Sequence, residues 1–246
     1  MQVEVVFHPR DLRPEHLRDR AVVVLDVLRA TTTMIAALHA GAKEIRIFGS
    51  LDSARAAARE WPQRTILCGE ERCRKPEDFD LGNSPGDFCR DTVQGKTLFM
   101  STTNGTRAIV AARSAPLILI GALTNARATA EMLINLHMDV TLLCAGTDGQ
   151  VSLEDVLGAG AILNSAMRFR TVALGNDEAL LASRADLSAR DKYPTALRTG
   201  AGGRHIIAAG LEADIEFAAD VDSIDIVGRV DANPLTVRRH VVGGAR

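Results

Sequence analysis

Residues 21–42 read AVVVLDVLRATTTMIAALHAGA. The run from Ala21 to Leu25 is apolar without alternation, the pattern of a strand buried on both faces. Beyond Asp26 and Arg29 the apolar residues Met34, Ile35, Ala37 and Leu38 recur at helical spacing. Gly41 follows where a left-handed helix cap sits. The stretch is therefore a strand, a turn carrying one acid and one arginine, and a helix.

The same order repeats along the chain. VEVVFH (3–8), EIRIFGS (44–50), TILCGE (65–70), KTLFMST (96–102), PLILIGA (116–122) and DVTLLCAG (139–146) read as further strands rich in Val, Ile and Leu. Between them LDSARAAAREW, GTRAIVAARS and NARATAEMLINLH carry apolar residues at helical spacing. This alternation predicts a three-layer α/β/α fold with a mostly parallel or mixed central sheet. After residue 150 the pattern turns helical, first in SLEDVLGAGAILNSAMRF (152–169), then near 176–190. GRHIIAAGLEADIEFAADVDSIDIV follows and predicts two helices and a late strand. No Pro/Gly/Ser-rich linker divides the chain, so residues 1–246 are expected to form a single domain.

Composition limits the function. The chain is 46% hydrophobic, enough for a substantial core, and its formal charge is −2. That balance gives no reason to bind nucleic acid or an anionic membrane, so any attraction for an anion must be local. No apolar run approaches the roughly 20 residues of a membrane span. The N-terminus lacks a signal-peptide core. Cys68, Cys73, Cys89 and Cys144 have no zinc-knuckle spacing, and reduced thiols in a cytoplasmic protein are expected. No two of the six histidines have close zinc-like spacing.

Ligands of parallel sheets gather at the carboxyl ends of the strands. Two polar clusters fall there: DVLRATTT (26–33) and STTNGTRA (101–108). Each offers an arginine, hydroxyls and the free N–H groups of a helix start, which together suit an anion. The competing reading is two capped helices with β-branched filler. Asp26, at a strand end, is a candidate metal ligand or nucleophile. GEERCRKPEDFDLGNSPGDF (69–88) is a long loop of interleaved charge. Its carboxylates suit a hard divalent cation, while Arg72, Arg74 or Lys75 suit a substrate anion. Glu154 and Asp155 open a helix after another strand, where either dipole stabilisation or metal ligation accounts for them.

Three short matches fail. GKT at 95–97 lacks the first glycine of a P-loop and precedes a strand. CGEERCR has the cysteine-to-arginine spacing of cysteine phosphatases, but Glu70 and Glu71 would repel a phosphate dianion. LDVLRAT resembles the aspartate motif of haloacid dehalogenases, yet Leu28 stands where that motif needs its second Asp.

Taken together, VVVLDVLRATTT, EERCRKPEDFDLGNSP, GKTLFMSTTNGTRA, LLCAGTDGQVSLEDVLGAGAI and GLEADIEFAADVDSIDIV resemble the 2-phosphosulfolactate phosphatase family nearly end to end. The resemblance implies a Mg2+-dependent phosphatase that converts 2-phospho-3-sulfolactate to 3-sulfolactate and phosphate, a step toward coenzyme M. It also implies an α/β/α fold of the family's own. Mapped onto matching positions, Asp26, Glu71, Asp80 and Asp155 are expected near the metal, with Glu154 in reserve. Asp26, Arg29 and Asp155 are the expected catalytic residues. Thr31, Thr32, Arg72, Lys75, Thr103, Asn104, Gly105, Thr106 and Arg107 are expected to line the substrate pocket. A phosphatase for another small phosphorylated acid, or a non-catalytic anion-binding protein, are the alternatives. A homodimer is expected from the prevalence of two-fold pairs.

Overall fold

The computed structural model describes residues 1–240. Its strands are β1 (Gln2–Val6), β2 (Arg20–Leu25), β3 (Glu44–Ile47), β4 (Ile66–Gly69), β5 (Thr97–Ser101), β6 (Leu117–Gly121), β7 (Asp139–Cys144), β8 (Ala173–Leu174), β9 (Gly228–Ala232) and β10 (Leu235–Arg239). They form one sheet in the order β4-β5-β3-β10-β9-β6-β2-β7-β1-β8. The helices are α1 (Ala30–His39), α2 (Leu51–Glu60), α3 (Arg90–Val93), α4 (Gly105–Ala111), α5 (Ala126–Asn135), α6 (Leu153–Phe169), α7 (Asp177–Ala189), α8 (Tyr193–Thr199), α9 (Ala201–Ala208) and α10 (Glu212–Ala219).

The sheet contains two parallel blocks, β4-β5-β3 and β6-β2-β7-β1-β8. The β9–β10 hairpin joins them, antiparallel to β6 on one side and β3 on the other. This hairpin corrects the expected late strand. The apolar DSIDIV segment (222–227) is irregular, and the strand begins only at Gly228. A hairpin this polar, with Arg229, Asp231, Arg238 and Arg239 in ten residues, lacks the apolar run of the buried strands.

Strand β2 shows how three layers arise from one sequence pattern. All six of its residues are buried. Ala21, Val23 and Leu25 face a core completed by α5, α6 and α7, while Val22 and Val24 face the opposite core, with Met34 and Ile35 of α1 and Ile109 of α4. The period-2 geometry of a strand delivers alternate side chains to each layer, so a strand between two helical layers must be apolar throughout. Gly41 adopts φ +94° after α1, as a left-handed cap requires.

Helix α6 lies close against α7 because its sequence is rich in small residues. A Cβ added at Gly160 would stand 2.1 Å from the Ala182 carbonyl oxygen, a backbone atom that cannot yield. Gly160→Ala is therefore expected to lower the melting temperature, at a cost of about 1–3 kcal/mol typical of overpacking. An unchanged melt would contradict this packing.

Candidate functional site

The β9–β10 hairpin sets the two parallel blocks running in opposite directions, yet the segments leaving the carboxyl ends of β2, β4, β5 and β7 meet around a cavity of about 420 Å³. Its walls include Asp26, Leu28 and Arg29 after β2, and Glu70, Arg72, Cys73 and Arg74 after β4. Thr103 and Asn104 follow β5, Thr147 and Asp148 follow β7, and Gly202, His205 and Ile206 belong to α9. The volume suits a small metabolite.

Asp26 occupies the start of α1. Its Oδ1 accepts a hydrogen bond from the Ala30 N–H at 3.2 Å, and its carbonyl accepts from the Thr31 N–H and Oγ1, both at 2.9 Å. The positive end of α1 thus holds the protein's own carboxylate. Burial pushes the Asp26 carboxyl up to about 7; the Ala30 hydrogen bond opposes this, while the nearby Glu70 and Glu154 charges reinforce it.

The threonines of the first cluster are consumed internally. Thr32 Oγ1 donates to the Val27 carbonyl at 2.7 Å and Thr33 Oγ1 to the Asn83 carbonyl at 2.9 Å. Thr31 and Thr32 are fully buried and lie outside the cavity wall, where the sequence reading had expected them. Thr106 also points inward, sharing its hydroxyl with Thr102. Gly105 has a different part. A Cβ there would lie 2.6 Å from the Ala30 Cβ and 2.9 Å from Asp26 Oδ2, so glycine lets the two clusters meet back to back. Both readings hold in part: two internally capped helix starts meet, and Asp26, Leu28, Arg29, Thr103 and Asn104 are the residues from them that reach the cavity.

Arg29 is 4% exposed and already paired. Its Nη1 donates to Asp214 Oδ2 at 2.8 Å and to Ser84 Oγ at 3.2 Å, and its Nη2 to the Cys73 carbonyl at 3.3 Å. Asp214, on α10, was not anticipated. The Arg29 guanidinium ties α1, the charged loop and α10 together at the cavity edge.

The charged loop is folded tightly rather than spread in solvent. Glu71 and Arg74 exchange two backbone hydrogen bonds around Arg72 and Cys73, whose φ values are +51° and +64°. That is a type I′ turn made without glycine, a costly conformation of the kind concentrated at functional sites. Glu70 anchors it, accepting from the Thr103 N–H at 2.9 Å and the Cys73 N–H at 2.8 Å. Here Glu70, rather than Glu71, faces the cavity. Glu71, Lys75 and Arg107 instead line an adjoining groove of about 1160 Å³, which shares Glu70, Arg72, Arg74 and Thr103 with the cavity. Lys75 Nζ donates to the Phe79 carbonyl at 2.7 Å. Asp80 lines neither space; its Oδ2 accepts from the Leu67 N–H at 2.9 Å, within β4.

Asp155 is also spoken for. It accepts from the Val27 N–H at 2.8 Å and the Gly146 N–H at 2.9 Å, fastening the ends of β2 and β7 to the start of α6. Burial, then the Asp26 and Glu154 charges, raise its carboxyl well above the usual range. Glu154 differs. It is 1% exposed, and neither carboxylate oxygen meets a hydrogen-bond donor. The Ser152 and Thr147 hydroxyls, bonded to each other at 2.6 Å, temper the upward push of burial without reaching hydrogen-bond geometry with it. Among the described residues no three His, Cys, Asp or Glu side chains converge as a metal cage.

Comparison with known proteins gives the family. The model of a family described as 2-phosphosulpholactate phosphatase matches residues 6–233. A probable 2-phosphosulfolactate phosphatase of Synechococcus sp. (strain CC9605) is 40% identical, covering 92% of this chain and 95% of the relative. Proteins of the same description from Carboxydothermus hydrogenoformans and Clostridium novyi are 38% and 35% identical. Each covers 92% of this chain, against 92% and 96% of their own lengths.

Two substitutions separate structural from chemical roles here. Asp155→Ala strands two buried N–H groups and is expected to destabilise by roughly 3 kcal/mol in a denaturant melt; full stability would contradict the structural role. Asp26→Asn keeps an acceptor for Ala30. The folded wild type holds an Asp26 proton that the unfolded chain releases between about pH 4 and the folded value of about 7, so wild-type stability falls as pH rises through that window. In metal-free buffer the melting-temperature advantage of Asp26→Asn should grow from pH 4 to pH 8; a constant difference would remove the buried-acid assignment.

Proposed function

The chain belongs to the 2-phosphosulpholactate phosphatase family, a family of phosphoric monoester hydrolases, and from that premise we propose that it hydrolyses 2-phospho-3-sulfolactate to 3-sulfolactate and phosphate. The observation that carries this reading is the cavity at the strand ends. Asp26 lies in its wall, and Arg29, Arg72 and Arg74 surround it. A substrate with phosphate, sulfonate and carboxylate groups needs several cationic contacts close together, and guanidinium groups match those anions in shape. A protein with a formal charge of −2 supplies them locally.

The carboxylates around Asp26 suit Mg2+. The buried Glu154 oxygens lack any donor, a deficit that a cation relieves, and Asp26 is a hard carboxylate within its electrostatic reach. Mg2+ is commonly held by one or two carboxylates, with water and substrate phosphate completing its shell, so no larger cage is required. Asp26 and Glu154 would hold the ion, which when bound supplies charge neutralisation at the phosphoryl oxygens. Arg72 and Arg74 orient the anionic groups. Asp26 either attacks phosphorus directly or takes the proton of the attacking water. On this reading the protein works in the cytoplasm, as a homodimer, in a route toward coenzyme M.

Purified protein should release phosphate from 2-phospho-3-sulfolactate when Mg2+ is present, and EDTA should abolish release. Asp26→Asn should reduce turnover at least about 100-fold. Absence of phosphate release with metal present would overturn the activity, and turnover unaffected by EDTA would overturn the metal assignment.

A further inference from the structure

Helix α9 reaches the cavity because of its glycines. A Cβ at Gly202 would lie 1.9 Å from Glu154 Oε1, and one at Gly203 would lie 1.9 Å from the Leu197 carbonyl. Glycine at both positions lets the helix settle directly on α6 and α8. Three residues after Gly202, on the same helical face, His205 joins the cavity wall that also holds Asp26 and the Thr103–Asn104 turn. Its Nδ1 lies 3.7 Å from Asp148 Oδ2, and its side chain is 51% exposed. Asp148 belongs to a second tight turn, in which Thr147 and Gln150 exchange backbone hydrogen bonds and Asp148 takes φ +50°. Thus both partners sit on elements whose backbone is specially shaped to bring them to the cavity.

Hydrolysis of an alkyl phosphate releases an alkoxide, a poor leaving group unless a proton reaches its oxygen. The cavity lining contains few candidates. Arginines do not give up protons at neutral pH. The Cys73 thiol is a weak donor whose ionisation burial hinders. Asp26 is committed at phosphorus in the proposed reaction. His205 is the histidine of this wall, and imidazole is the commonest acid–base group of enzyme sites. The charged and titratable groups around it are Asp148 from the turn, Glu154 from α6, Arg204 on its own helix, and Cys73, Arg72 and Arg74 from the facing loop. Arg204 is turned back onto the Thr199 carbonyl, leaving Asp148 as the acidic group nearest the imidazole.

Building on the phosphatase reading, we infer that His205, oriented by Asp148, is the general acid that protonates the leaving ester oxygen. As the P–O bond breaks, its electron pair stays on the ester oxygen, which takes the Nε2 proton. By the direct route, water supplies the hydroxyl joined to phosphorus, its proton passes to Asp26 and from there to solvent, and His205 regains a proton from solvent. By the covalent route, the Asp26 carboxylate takes the phosphoryl group, and neutral His205 then receives the proton of the water that hydrolyses it. Either way the alcohol leaves protonated and the charges balance. Asp148 is a positioning residue.

The test compares wild type, His205→Gln and Asp148→Asn on 2-phospho-3-sulfolactate and on 4-nitrophenyl phosphate, whose aryl leaving group departs without a proton. His205→Gln should lower kcat roughly 100-fold or more on the alkyl ester and by less than about 5-fold on the aryl ester. Asp148→Asn should show the same selectivity with a smaller loss. Equal losses on both esters, or none on either, would overturn the assignment while leaving the phosphatase reading intact. Wild type inert toward both esters would overturn the phosphatase reading itself and this inference with it. If wild type accepts only the alkyl ester, the pH profile decides: an alkaline fall in kcat that His205→Gln abolishes supports the role, and an unchanged profile overturns it.

Discussion

The Asp155 carboxylate, sealed beneath the sheet's edge, accepts the Val27 and Gly146 N–H groups. These donors lie where β2 and β7 have ended and the chain diverges, toward α1 after one strand and toward α6 after the other. Left unpaired in the interior, each would carry a substantial desolvation penalty. One side chain satisfies both and fixes where the two strands part. The space between the diverging segments is the start of the cavity. Gly105, pressed against Ala30 and Asp26, brings the β5 turn to the same place, and Glu70 fastens the charged loop to it.

Concentrating Asp26, Glu70, Glu154 and Asp155 in a dry region works against stability, since each raises the proton affinity of its neighbours. The nearby arginine answers only part of it, because Arg29 is already held by Asp214. An excess of buried acid beside an anion pocket makes little sense for a simple anion binder. It suits a site whose carboxylates meet a cation and a reacting phosphoryl group, and it explains how an acidic protein can serve an acidic substrate. The expected loss of stability with rising pH is the cost of that arrangement.

Much of the architecture was legible because buried parallel strands leave an unmistakable apolar run, as in Ala21–Leu25. Each cavity segment leaves the carboxyl end of a strand, but strand polarity alone could not gather them, because the hairpin sets the two parallel blocks antiparallel. The β9–β10 hairpin was hidden because its strands are polar and half-exposed while DSIDIV, just before it, looked more strand-like. Thr31 and Thr32 have the same pattern whether a hydroxyl faces a ligand or its own turn's carbonyl, so sequence could not separate the two. Glu70 and Glu71 show the problem at single-residue scale, since adjacent extended residues face opposite ways. The family resemblance pointed to Glu71, and nothing in the spacing of the loop decided between the two. His205 and Asp148 are too far apart in sequence for any motif to join them. Only the docking of α9 through its glycines does so.

On the proposed function, the phosphoryl group reacts in the cavity beside Asp26 and not in the wider basic groove next to it. A crystal structure with Mg2+ and tungstate, a heavy phosphate mimic, tests this most directly. Tungstate density is expected in the cavity between Asp26 and the Thr103–Asn104 turn, facing His205. Tungstate confined to the groove of Lys75 and Arg107, with none beside Asp26, would contradict it.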